Sequence, residues 1–241
     1  MAPNLWISEG MLANRFWHAL GNSVYQAEAV RDAEIISEKT APLVDKFPSI
    51  AGSISLKSAA LVWLTTKYFS PSVICEVGTY IGRSTLSMAF GAAGKLTDLF
   101  TCDGSFDCMN FDELKSSHFS DEKMEAIKKI HYYGNTMSHD MFAQIAKLNK
   151  KVDLIFVDGR ISEKDVSYIK QIASPECVFL IDDFEGVEKG VVNAMILRNN
   201  FPNYIILEPL TDINGQKEVL AVMIPSQVIK LSRPQALPVN M

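Results

Sequence analysis

The residues best placed to do chemistry are Glu76-x-Gly78-x-Tyr80-x-Gly82-x-Ser84, which overlap the short apolar run Val73–Val77 and lead into the helical run Thr85 to Phe90. A buried strand, a tight glycine turn and a helix start, in that order, bind a nucleoside-bearing cofactor at the carboxyl edge of a sheet. The glycine spacing selects among such cofactors. A dinucleotide fingerprint needs Gly-x-Gly-x-x-Gly, so that a pyrophosphate rests on the helix N-terminus. Here the first place is an acid and the two glycines stand four apart. A carboxylate there repels a pyrophosphate and suits a cation, such as the ammonium of S-adenosylmethionine (SAM). A strand, turn and helix whose glycines serve only close packing would show the same spacing.

Further acids follow at strand ends. Asp103 closes the run Leu96 to Cys102, about twenty residues beyond the turn, where an acid reaches ribose hydroxyls. Such an acid also occurs in dinucleotide enzymes, so it speaks for the fold more than for the cofactor. Val152 to Asp158 and Cys177 to Asp182-Asp183 are two more apolar runs that end in acid. The four acid-ending strands imply one polar edge. Asp158, Asp182 and Asp183 offer only oxygen donors, which suit a hard cation such as Mg²⁺ that keeps waters and accepts substrate oxygens. The same three acids could instead form a plain polar rim above the sheet.

The elements that must position these residues alternate regularly. The spacing predicts strands at 73–77, 98–103, 132–137, 153–158 and 177–182, separated by helices at 83–92, 121–131, 139–148, 163–172 and 186–199. Such alternation with near-continuous apolar strands implies a parallel sheet covered on both faces. Tyr204–Glu208 and Glu218–Ile224 flank Asn214-Gly215, a hairpin signal. Before the core, Leu12, Phe16, Leu20 and Val24, then Ala33, Ile36 and Leu43, recur at helical spacing with a break near Gly21-Asn22. Two amphipathic helices there would form a lid or a subunit interface. Pro48 to Gly52 interrupts the pattern, and Leu56 to Phe69 forms a further helix that leads into the first strand.

A chain of 241 residues suits one α/β domain, divided here into a helical segment at 1–52, a cofactor-binding core at 53–225 and a tail at 226–241. A hydrophobic content of 48% with 21% charged residues is ordinary globular composition. The net charge of −5 argues against nucleic acid as a partner, because phosphate binding leaves a basic stripe. The basic cluster Lys147 to Lys151 reads as a solvated helix end. The four cysteines lack Cys-x-x-Cys spacing and read as buried thiols in a reducing compartment. No apolar run approaches the roughly 18 residues of a membrane span. The expectation is a soluble, cytoplasmic protein that forms a homodimer or other homo-oligomer through its N-terminal helices.

The acid-x-Gly-x-x-x-Gly pattern resembles motif I of the class I SAM-dependent methyltransferases. From Ser55 to Ile224 the chain is similar to the small-molecule O-methyltransferases of the catechol O-methyltransferase type, including the methyltransferase 24 group, whose motif I reads Glu-x-Gly-x-Tyr-x-Gly-x-Ser. The resemblance implies a Rossmann-like doubly wound α/β sheet, mostly parallel, with a C-terminal antiparallel hairpin and N-terminal helices. It implies methyl transfer from SAM to a hydroxyl of a small metabolite, assisted by a divalent metal. By the same likeness Glu76 and Ser84 hold the methionine end of SAM, Gly78 and Gly82 let the backbone approach, and Tyr80 flanks the cofactor. Asp103 binds the ribose, with Gly104 and Ser105 beneath the adenine. Ser138 and His139 are adenine contacts, with helix capping and an exposed helix start as their respective alternatives.

The metal-dependent relatives carry Asp, Asp and Asn where this chain has Asp158, Asp182 and Asp183. They also carry a lysine, or often a histidine, three residues after the first metal aspartate, where this chain has Ile161. Asp158 and Lys164 are then the catalytic candidates, with metal activation alone or a base such as His18 as alternatives, and surface exposure as the plain reading of Lys164. His118 and His131 read as structural or exposed. Phe184 and Glu185 are candidates for the acceptor pocket, and the stretch 104–118, with Phe106, Met109, Phe111 and nearby Phe119, reads as a substrate-side flap. Two other functions fit parts of the pattern. An NAD(P)-dependent oxidoreductase fits the sheet but not the glycine spacing or the absence of Tyr-x-x-x-Lys at Tyr168, and a non-catalytic SAM-binding scaffold fits the missing base.

Overall fold

Strands β1 (Val73–Val77), β2 (Asp98–Asp103), β3 (Ile130–Gly134), β4 (Val152–Val157), β5 (Ala173–Ile181), β6 (Tyr204–Leu207) and β7 (Ala221–Pro225) form one sheet in the order β3-β2-β1-β4-β5-β7-β6. The computed structural model describes residues 9–46, 53–104, 119–184, 189–209 and 219–227. The first five strands run parallel and β7 lies antiparallel to both β5 and β6. Eight helices accompany them among the described residues: α1 (Glu9–Gly21), α2 (Gln26–Lys46), α3 (Leu56–Phe69), α4 (Arg83–Gly91), α5 (Asp121–Ile127), α6 (Ser138–Lys147), α7 (Glu163–Ile172) and α8 (Gly190–Asn200).

The apolar strands are buried on both faces, and side-chain alternation divides them between two cores. Leu154 and Phe156 of β4 join Val178 and Leu180 of β5 in the core built with α1 to α5. Ile155 and Val157 join Phe179 and Ile181 in the other, where Met141, Phe142 and Ile145 of α6 pack with Ile169 of α7 and Leu197 of α8. A period of two on strands and of 3.6 on helices produces this arrangement without further instruction.

Several boundaries differ from expectation. The helix expected to reach residue 131 stops at Ile127, and β3 runs over 130–134, not 132–137. Ile130 pairs with Leu99 and Tyr132 with Thr101, so β-branched and aromatic residues fill this edge strand. β5 begins at Ala173, four residues before the expected start, behind a register irregularity between Val152 and Leu154. Val24, placed on the helical stripe by its spacing, stands in the turn between α1 and α2 and is 90% exposed. The Asn214-Gly215 turn lies outside the described residues, while the strands it joins do pair.

The N-terminal helices pack on the core. Phe16, Trp17 and Leu20 are buried, and the Trp17 Nε1 donates to the Glu208 carbonyl at 2.6 Å. Buried Asp32 on α2 accepts from Trp63 Nε1 at 3.1 Å and from Lys123 Nζ at 2.5 Å, which ties α2 to α3 and α5. α3 is capped by Ser55, whose side chain accepts from the Ser58 amide, and ends on Ser70 at φ 52°. No described helix is long and apolar enough to cross a membrane.

Candidate functional site

Sheet register sets the site. Val77 pairs with Cys102 and Val157, and Val157 pairs with Ile181. The next residue on each strand is Gly78, Asp103, Asp158 or Asp182, so all four reach the same carboxyl edge. The turn after β1 is held closely there. Gly78 has φ 102°, and a Cβ at this position would stand 2.9 Å from the Gly159 nitrogen. Tyr80 is strained at φ 43°, and its amide donates to Asp103 Oδ2 at 2.9 Å. Gly82, at φ 73°, caps α4 with no side chain of its own. Amides of Gly78 and Thr79 donate to the Cys102 carbonyl at 2.9 and 3.2 Å, locking the turn onto β2.

Glu76, the acid that opens the motif, is buried in the packed core. Its exposure is 0%, and its carboxyl accepts from Ser84 Oγ at 2.5 Å, Thr85 Oγ1 at 2.5 Å and Thr101 Oγ1 at 2.6 Å. One residue short of the strand end, the side chain shares the face of Ile74, which α3 and α4 cover, so it points into the molecule. Burial raises its pKa to about 7 despite the three hydroxyl donors. Glu76 and Ser84 therefore form a polar hub beneath the turn. Thr85 and Thr101, unremarked in the sequence, complete it.

At the β2–β3 side, Gly104 lies under Met137, whose Sδ would stand 3.0 Å from a Cβ at residue 104, while Met137 itself is 54% exposed. Ser138 is not the cap of α6; Met137 occupies that position without a side-chain bond. The Ser138 hydroxyl instead donates to buried Asp165 Oδ1 at 2.6 Å, across to α7. Asp165 Oδ2 also accepts from the Ser162 amide and hydroxyl at 2.7 and 2.6 Å, closing the capping box of α7. His139 is partly buried, with Nε2 3.6 Å from Asp140. Ser105 and the rest of the proposed flap to His118 lie outside the described residues, as does Glu185. Phe119 packs edge-on against Phe90 at 5.0 Å.

Asp158, Asp182 and Asp183 converge, each offering an oxygen within 4.8 Å of the others. Asp182 is 5% exposed, and its Oδ1 is buried with no hydrogen-bond partner. Burial raises the pKa of Asp182 to about 8, with repulsion from Asp158 and Asp183 adding to it. Burial also raises Asp158, against the pull of Lys189. The donor chemistry, oxygen only with one orphaned buried oxygen, fits a hard divalent cation. A residue not foreseen from the sequence also reaches this cluster: Lys189 Nζ donates to Asp158 Oδ1 at 2.6 Å and to Asp183 Oδ2 at 2.7 Å. Burial lowers the Lys189 pKa, but the two carboxylates outweigh it and the net shift is upward.

The other base candidates stand apart from this contact. Lys164 is exposed on the first turn of α7, and His18 is exposed on the last turn of α1. Ile161 is buried, its amide donating to Asn193 Oδ1 at 3.2 Å. His131 pairs with Asp98 at 2.9 Å and stacks on Phe100, at the opposite end of β2 from the site.

Residues 75–184 match the methyltransferase 24 family model, described as a methyltransferase domain. No curated protein matches the chain at a significant level. Among solved structures, the O-methyltransferase TomG from Streptomyces achromogenes, in complex with SAM, aligns at 14% identity with a TM-score of 0.59, over 79% of this chain and 89% of that one. The O-methyltransferase from Bacillus cereus, in complex with S-adenosylhomocysteine (SAH), aligns at 15% identity and a TM-score of 0.56, over 87% and 96%. A putative caffeoyl-CoA O-methyltransferase from Staphylococcus aureus aligns at 16% identity and 0.51, over 90% and 98%. Residues 75–184 are thus similar to a methyltransferase domain, and the strand order with the turn after β1 is the fold shared with these solved structures.

Proposed function

We propose that this protein transfers the methyl group of SAM to a hydroxyl of a small metabolite. The observation that carries this reading is the convergence, on one sheet edge, of the glycine turn, Asp103 and the Asp158–Asp182–Asp183 cluster. The O-methyltransferases with the same fold support oxygen as the acceptor. In this reading Gly78 and Gly82 bring the backbone against the methionine part of SAM, and Tyr80 flanks it. Glu76 and Ser84 act from beneath by fixing the turn. Asp103 accepts from the ribose, and Gly104 with the exposed Met137 gives the adenine a flat apolar seat, with His139 at its rim. Phe184 lines the acceptor side.

The acceptor proton has a destination in the same cluster. Asp158, shifted upward from the ordinary carboxylate range by burial, receives it, because a carboxyl so shifted holds a proton more readily than an ordinary one. Asp158, Asp182 and Asp183 would hold a divalent ion, which when bound lowers the pKa of a substrate hydroxyl. The chain's own residues orient the acceptor and keep the Asp182 carboxyl buried.

The test is calorimetric and chemical. SAH should bind while NAD does not, and labelled methyl should pass from SAM to a member of a hydroxylated panel. Asp103→Ala should weaken SAH binding about ten- to a hundredfold, the value of one charged hydrogen bond at about 1.5–3 kcal/mol. A folded Asp103→Ala protein with unaltered SAH affinity would remove the cofactor reading of this edge.

A further inference from the structure

We propose that Lys189 is the resident cation of the Asp158–Asp182–Asp183 cluster, and that a divalent metal enters only by displacing its ammonium. The inference rests on the acidic edge being the methyl-transfer site. Its own ground is geometric. The Lys189 ammonium spans two of the three carboxylates, at 2.6 Å from Asp158 and 2.7 Å from Asp183. Asp182 Oδ1 is left buried and without a partner in the same cluster, so the ammonium satisfies part of the donor set and leaves one oxygen directed at nothing.

The backbone fixes this arrangement. Lys189 precedes Gly190, the first residue of α8, and a Cβ on Gly190 would stand 2.3 Å from the Asp182 carbonyl oxygen and 2.4 Å from the Asp183 carbonyl carbon. Contact that close requires glycine and presses the start of α8 against the end of β5. The lysine is thereby carried to the carboxylates by the main chain, and an attached cation needs no association from solution.

Competition follows from charge. Ammonium and metal compete for the same Asp158 and Asp183 carboxylates, and a divalent ion placed beside a retained ammonium would meet direct repulsion. Tethering thus lowers apparent metal affinity and offsets part of the cluster's negative charge without metal. The site is a mixed one, whose metal occupancy is set by one lysine.

Titration of Mn²⁺ against the full chain, followed by the loss of the free-ion electron paramagnetic resonance signal, tests this. Lys189→Met should bind one Mn²⁺ at least tenfold more tightly than the wild type, Lys189→Arg should stay close to the wild type, and Asp182→Asn in the Lys189→Met background should lose the gain. Lys189→Gln serves as a second neutral variant should Lys189→Met unfold by circular dichroism. Equal Mn²⁺ affinity in the wild type and the neutral variants, or no binding by a folded neutral variant at millimolar Mn²⁺, overturns the proposal. SAH affinity measured on the same samples separates the two readings. Retained SAH binding with unchanged Mn²⁺ affinity rejects the lysine alone, whereas absent SAH binding in the wild type rejects the methyl-transfer site on which it rests.

Discussion

At the scale of single residues, Glu76 sets a pH dependence that its position in the motif does not suggest. Its pKa rises from the ordinary 4.5 to about 7, chiefly because burial penalises the charge. The folded state therefore favours the protonated carboxyl. The associated stability is complete below pH 4.5 and is lost as pH rises through about 7, where both folded and unfolded forms have ionised. The span corresponds to about 3 kcal/mol at about 1.4 kcal/mol per pK unit. Glu76→Gln keeps a neutral polar group among Ser84, Thr85 and Thr101 and removes the titration. The loss of unfolding free energy between pH 5 and pH 8, read from urea curves, should be smaller in Glu76→Gln than in the wild type by about that amount. Equal losses in the two proteins would contradict a neutral-favouring Glu76. The identity and spacing of this acid were legible in the sequence, whereas its burial was not. That depends on Thr101 from the neighbouring strand and on the face that α4 covers. Lys189 was illegible for a similar reason. It stands in a mixed-charge stretch with Glu185 and Glu188, and only the contact of Gly190 with Asp182 turns it toward the carboxylates.

At the scale of elements, α6 and α7 are joined through one buried acid. Asp165 is 2% exposed and serves both the N-terminus of its own helix, through Ser162, and the start of α6, through Ser138. Removing it strands three donors, two of them at a helix start. Loss of the cap costs about 1 kcal/mol, and a buried hydroxyl left unpaired adds about 1–3 kcal/mol. Asp165→Ala should lower stability by about 2–4 kcal/mol, and Ser138→Ala, which removes only the cross-helix bond, by about 1 kcal/mol. Chemical denaturation of the two variants checks the order, and a larger loss for Ser138→Ala would show that the hydroxyl does more than bridge the helices. The alternation of strands and helices was readable because the strands are apolar on both faces. The exact ends were not: β3 begins at Ile130 because pairing with Leu99 rewards a residue that local helical spacing assigns to α5. Ser138 likewise looks like a cap when only its own helix is considered.

At the scale of the molecule, the N-terminal helices are bound into both the core and the turn after β1. Phe16, Trp17, Leu20, Ala29, Ala33 and Ile36 are all buried in the core shared with α3 and α4. Burying each of the larger side chains contributes roughly 1.5–3 kcal/mol, which in sum is comparable to the margin that holds an ordinary domain folded. A second connection is polar. Arg83, between Gly82 and Ser84 of the turn, donates from Nε to Thr40 Oγ1 on α2 at 3.0 Å and from an η nitrogen to the Ile54 carbonyl at 3.4 Å. The helical stripe around Phe16 was readable from spacing, but this link joins residues 43 positions apart and had no local signal. Two consequences separate the apolar contribution from the polar one. Deletion of residues 1–46 should expose the apolar face of α3 and yield aggregated protein, seen by light scattering. Thr40→Val leaves that packing in place and should reduce SAH affinity several-fold, with a loss of about 1–3 kcal/mol in unfolding free energy, because Arg83 Nε loses its acceptor and the hydroxyl's own bond to the Ile36 carbonyl is lost as well. A soluble truncated protein that binds SAH as the full chain does would mean that α1 and α2 contribute to neither the core nor the turn.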